Sequence, residues 1–200
     1  MSHLRSFAMV LALAGATAAA CSDPVQSSAI SALGKEVTGV PIGEFHRAGQ
    51  PCLVCHEPYG PASKAVYSVA GTVFAGGPTS LVGVAGAQVH MTDSNHTSYV
   101  ATTNCVGNFV VKPTEWDPNN NGSGPGFPLL VRVVKGQTTR TMKTLIGRDG
   151  SCAGCHAKTI AEDNQLIAMP HVSIYGDDPT TWPAGVVDKT CAVNPDLGTQ

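Results

Sequence analysis

The sequence predicts a mainly β protein: a small antiparallel β-sandwich inserted between two loop-rich segments with short helices. Three observations carry that expectation. Residues 66–147 break into short runs in which apolar and polar side chains alternate. Turn formers punctuate the whole chain, with 22 Gly and 14 Pro in 200 residues, which leaves little room for long helices. Finally, the pentads Cys52-Leu53-Val54-Cys55-His56 and Cys152-Ala153-Gly154-Cys155-His156 stand on either side of the alternating region.

Taken in order, the chain opens with Arg5 and an uncharged run from Phe7 to Ala20. That run is shorter than the ~20 residues a spanning helix needs and ends in small residues, so residues 1–20 read as a secretory signal peptide. Cys21 follows Ala18-Ala19-Ala20 and resembles the lipid-acceptor cysteine of bacterial lipoproteins, although Ala18 stands where that pattern usually has Leu. Cleavage without lipidation is the alternative. Residues 21–43 then form the lipidated cysteine and a tether, flexible by composition. The chain is thus expected to be exported, as a periplasmic, outer-membrane or cell-surface lipoprotein held to the membrane by its anchor.

Residues 44–65 carry the first pentad among Pro and Gly. Strand-like runs follow at Val66–Phe74, Val84–Thr92, Ser98–Thr103, Asn108–Lys112, Leu129–Val134 and Arg140–Ile146, with turns at Gly76-Gly77-Pro78, Val106-Gly107 and Gly136. Ala87, Val89 and Met91 fall on one face of their run, and Gln88, His90 and Thr92 on the other. Residues 148–200 carry the second pentad and a tail. Asp117-Pro118-Asn119-Asn120-Asn121-Gly122 imitates the start of a calcium loop, but Pro128 stands where the bidentate Glu belongs, so a turn is expected.

The pentads point to haem. Two thiols with two residues between them can bond the two vinyl groups of one porphyrin, and the next residue, a histidine, then falls beneath the iron. Cys52, Cys55 and His56 would hold one haem c, and Cys152, Cys155 and His156 a second. A four-thiolate zinc site would leave the two histidines coincidental. A thioredoxin-like dithiol would need a βαβ pattern that the chain lacks. With four cysteines on haem and Cys21 on lipid, Cys105 and Cys191 remain. An oxidising compartment suggests a disulfide between them, with two buried free thiols as the alternative.

Each iron needs a sixth ligand. His46, close before Cys52, and His171, beyond a short helical stretch at Thr159–Ala168, are the expected distal ligands. His90 would serve only if a haem lay on its sheet face, His96 sits in a turn-like Asp-Ser-Asn-His-Thr and reads as exposed, and Met169 could offer a thioether. Two imidazoles per iron are favoured.

The middle of the chain resembles a known family. Val84–Asp93 (V-A-G-A-Q-V-H-M-T-D), Ala101–Val111 (A-T-T-N-C-V-G-N-F-V-V) and Phe127–Gly136 (F-P-L-L-V-R-V-V-K-G) follow the pattern of carboxypeptidase-regulatory-like, transthyretin-like sandwiches. The resemblance covers about residues 66–147 and implies a scaffold or adhesion role without catalysis. The pentads themselves resemble those of multihaem c-type cytochromes. Together these features imply a dihaem one-electron carrier whose partners are redox proteins, with assembly alongside other cytochromes. The alternatives are a haem enzyme, such as a small peroxidase, or a gas-binding sensor with one open iron position, and an adhesion module. A formal charge of −2 offers no basic face for nucleic acid, and no nucleophile–base or phosphate-loop motif is present.

Overall fold

Alternation in the sequence becomes strands because one face of each run can be buried while the other stays wet. A computed structural model describes residues 23–36, 40, 42–76, 82–156, 172–176, 178–184 and 186. The signal peptide, Cys21, Thr159–Ala168, Met169, His171 and Cys191 lie outside them. The described chain is mainly β, with two antiparallel sheets and a few short helices, consistent with a small β-sandwich. β1 (Val69–Thr72) pairs with β4 (Asn108–Val111). The second sheet has the order β3-β2-β5-β6, with β2 at Gln88–Thr92, β3 at Ser98–Thr102, β5 at Leu130–Lys135 and β6 at Thr138–Thr141.

Register aligns the apolar faces. Val89 lies opposite Ala101 and Val133, and Met91 opposite Val131; all five are buried. Val69, Phe109 and Val111 of the first sheet join them in one core. Gly136, at φ +57°, turns β5 into β6 through a two-residue loop, where a left-handed backbone suits the twist of a hairpin.

Three expectations are adjusted. The run Val66–Phe74 pairs as a strand only over Val69–Thr72, and all four of those residues are buried instead of alternating. Core covers one side of β1, while both Cys-x-x-Cys turns lean on the strand. The run Arg140–Ile146 is paired at its start, in β6, and Ile146 returns separately to bridge Leu129. Within the stretch expected as a flexible tether, Pro24–Ala32 is helical. Asp23 caps it, accepting from Val25 N at 2.8 Å and Gln26 N at 3.3 Å, and Pro24 sits where a helix tolerates it. That helix belongs to a unit ending at Gly34, whereas the sheets belong to the unit that begins at Lys35. No described helix is long and apolar enough to cross a membrane.

Candidate functional site at the two Cys-x-x-Cys-His turns

Both pentads fold as one helical turn. In the first, Cys52–Val54 is a 3₁₀ turn and His56 N donates to Cys52 O at 3.0 Å. In the second, Cys152–Cys155 is a helical turn and His156 N donates to Cys152 O at 2.9 Å. Positions i, i+3 and i+4 share one side of such a turn, so each pair of thiols is grouped with its imidazole.

The first turn is built around His56, which is buried. Its Nδ1 lies 2.7 Å from Ala65 O, a contact that places the proton on Nδ1 and leaves Nε2 with its lone pair. A backbone carbonyl on the far nitrogen is the usual way a metal-binding histidine is oriented. Tyr67 stacks on the ring at 4.3 Å between centroids. The ring of His46 lies 5.9 Å from that of His56, with 16° between their planes. Burial holds the His46 imidazole below its ordinary range, against the charge of Glu36, which pulls it up.

The β module fixes the loop that carries His46. Buried Thr72 accepts from Gly49 N at 2.7 Å and donates to Asn108 Oδ1 at 2.7 Å. Asn108 Nδ2 in turn donates to His46 O at 3.1 Å and Glu44 O at 3.3 Å. Sequence reasoning missed both residues; the only sign was a polar side chain at the end of each of two otherwise apolar strands.

The second turn packs on β1 through glycine. A Cβ on Gly71 would stand 2.7 Å from Cys152 Cβ, and one on Gly150 would stand 2.0 Å from Ser68 O, so neither position has room for a side chain. Ala70 N donates to Gly150 O at 3.0 Å and closes the approach. Cys152, Cys155 and His156 stand in the wall of a cavity of about 480 Å³, with Phe109, Val131, Met142, Leu145 and Ile146 among its apolar lining. Sites of roughly 300–1,000 Å³ accept small molecules and cofactors.

Burial pushes the Cys52 thiol up to about 11. It pushes Cys152 up to about 12, with a further contribution from the nearby Cys52. Both leading cysteines are therefore neutral thiols at pH 7.

The remaining candidates are dispersed. His90 lies on the outer face of its sheet, as its alternation predicts, opposite Val100 and Arg132. His96 is exposed in a turn that Asp93 organises, its carboxylate accepting from Asn95 N at 2.9 Å and Thr97 N at 2.8 Å. The Asp117 segment is a turn closed on itself by Gly122 N donating to Asp117. Cys105 is disulfide-bonded, and its partner lies outside the described residues. Among the described residues no group of three His, Cys, Asp or Glu side chains converges as a metal cluster. No protein-family model, curated protein or solved structure matches this chain.

Proposed function

We propose that this chain is a dihaem c-type cytochrome, an exported one-electron carrier anchored to a membrane through lipid on Cys21. The observation that carries the reading is the local fold of the pentads: each groups two thiols and one imidazole on a single helical turn, and both turns lean on β1. When bound, each haem supplies reversible one-electron exchange at iron. The protein's part is to hold and orient it.

The residues of the first turn fit the group. His56 offers Nε2 while Ala65 O fixes its ring. Two imidazoles on opposite sides of one metal have centroids roughly 6 Å apart, given a metal–nitrogen bond of about 2 Å and a nitrogen ~1.1 Å from the centre of a ring with ~1.33 Å bonds. The His46–His56 separation of 5.9 Å is of that size, but the two rings are stacked at 16°, so sharing one iron would require His46 to turn its edge towards His56. Gly43 N donates to His46 Nδ1 at 3.0 Å, so binding through Nε2 requires that bond to open and the proton to cross the ring. At the second turn, Val172 and Ser173 line the cavity beside His156; His171, the residue before them, is the proposed partner. A zinc site would need both thiol pairs on one ion, whereas haem uses each pair separately.

Denaturing mass spectrometry of the exported chain tests this, with two covalent haems expected and bound zinc or a single haem overturning it. The second reading, an enzyme or sensor with an open iron position, draws on the cavity beside His156. Two six-coordinate low-spin irons in the visible spectrum favour the carrier, and a five-coordinate high-spin iron favours the second reading.

A further inference from the structure

Charge is arranged unevenly around the two turns. Arg132, Arg140 and Arg148 all line the cavity beside the second turn, together with one acid, Asp149. The acid is engaged in its own loop, its Oδ1 accepting from Ser151 N at 2.8 Å. Among the described residues the ion pairs are Arg47–Glu36 and Lys112–Glu115, so no described carboxylate pairs with the three cavity arginines. Near the first turn the corresponding cation, Arg47, is committed to Glu36 at 3.3 Å and to Gln50 at 2.7 Å.

Three guanidiniums against one carboxylate leave the cavity two positive charges in excess over an apolar wall. That pattern suits a flat, mostly apolar ligand bearing two carboxylates. A guanidinium fork matches a carboxylate in two parallel hydrogen bonds, which a lysine cannot do. Resting on the dihaem reading, we propose that this cavity seats the second haem, that Arg140 and Arg148 receive its two propionates, and that the second site is the more oxidising of the two. The sign follows from charge: reduction removes one positive charge from iron, and cations held beside it favour the less positive state, though solvent screens these exposed arginines in part. The apolar wall acts in the same direction. Electrons arriving at the first site then run towards the second.

Potentiometric titration of the intact holoprotein is the test. Arg140→Gln with Arg148→Gln is expected to keep two covalent haems while the upper midpoint falls by at least a tenfold change in the reduction equilibrium, about 59 mV for one electron. Lys112→Gln, which removes one positive charge elsewhere on the surface and is the control for Arg148→Gln alone, leaves that midpoint in place. Cys152→Ala with Cys155→Ala abolishes the upper wave and keeps the lower. Should the double arginine variant fail to accumulate, Arg148→Gln alone, in an exposed loop, gives a smaller fall of the same sign. The proposal is overturned if both midpoints survive the arginine substitutions or if the upper wave belongs to the first turn. Failure of the dihaem reading looks different, because the wild-type chain then carries fewer than two haems by mass.

Discussion

The pentads at 52–56 and 152–156 each present two thiols and an imidazole on a single helical turn, yet they are held by different physics. A web of polar ties, from Thr72 and Asn108 to the backbone of residues 44–49, positions the first turn's neighbouring loop, and its histidine is oriented by one carbonyl. The second turn is pressed directly onto β1, with bare glycine backbone at Gly71 and Gly150 and an apolar cavity on its outer side. Close packing is intolerant of added atoms, whereas a polar web is intolerant of lost partners. The two sites are therefore vulnerable to opposite kinds of substitution.

The largest effect belongs to Gly150→Ala. The added carbon would stand 2.0 Å from Ser68 O and 2.9 Å from Val69 Cα, and backbone cannot rotate away as a flexible side chain can. Overpacking of this kind costs about 3 kcal/mol or more. Chemical denaturation is expected to show that loss together with incomplete haem attachment at Cys152 and Cys155. A change below about 1 kcal/mol would mean that the second turn is not seated by this contact.

Asn108→Ala comes next and is expected to spare the second site. It leaves the Thr72 hydroxyl without its buried acceptor and removes the Asn108 donor from the His46 carbonyl, while Glu44 O keeps Asn104 Nδ2 at 2.7 Å. Stranding buried polar groups costs about 1–3 kcal/mol. The spectrum should show one haem losing its low-spin character while the other keeps it. Equal disturbance of both haems would dissolve the distinction between the sites.

These two residues mark where the sequence stopped being legible. The helical turns of the pentads are local, set within five residues, and β2, β3 and β5 could be read because one buried face imposes a period of two. β1 hid its role because turns and core together bury every residue of it. Thr72 and Asn108 are 36 positions apart, and the cavity draws its wall from Val89 through Ser173. No local pattern signals such long-range closure. The helix Pro24–Ala32 was masked by a composition that also suits a tether, although Asp23-Pro24 is a good helix start.

Alkaline titration separates free from attached cysteines. In apoprotein, the folded-state values of Cys52 and Cys152, about 11 and about 12, exceed the ordinary thiol value. The folded state thus holds protons that the unfolded chain releases. The resulting stability is complete below about pH 8.5 and drains away as pH rises through the folded values. A loss on the order of a few kcal/mol is expected between pH 9 and 11, followed by urea denaturation at each pH. Thioethers do not titrate, so the same series on holoprotein should lack this component. An apoprotein curve as flat as the holoprotein curve would show that the two thiols are not desolvated.

The smallest change in folding free energy, and the sharpest in spectrum, is expected from His46→Ala. The half-buried ring hydrogen-bonds only Gly43 N among the described contacts at 3.0 Å, so apoprotein should lose about 1 kcal/mol or less. In holoprotein the expected consequence is local: one iron loses an imidazole, becomes high-spin and binds carbon monoxide, while His96→Ala leaves the spectrum unchanged because that ring is exposed in its own turn. His171→Ala should do the same at the other iron. The pH dependence supplies an independent check. Burial keeps the His46 imidazole below its ordinary value, so protonation competes with the metal only at lower pH than for a free imidazole near 6.5. The low-spin form is then complete above that ordinary value and gives way as pH falls below it. If His46→Ala stays low-spin while His90→Ala does not, a haem sits on the outer face of the four-stranded sheet and the pairing of His46 with His56 has another cause.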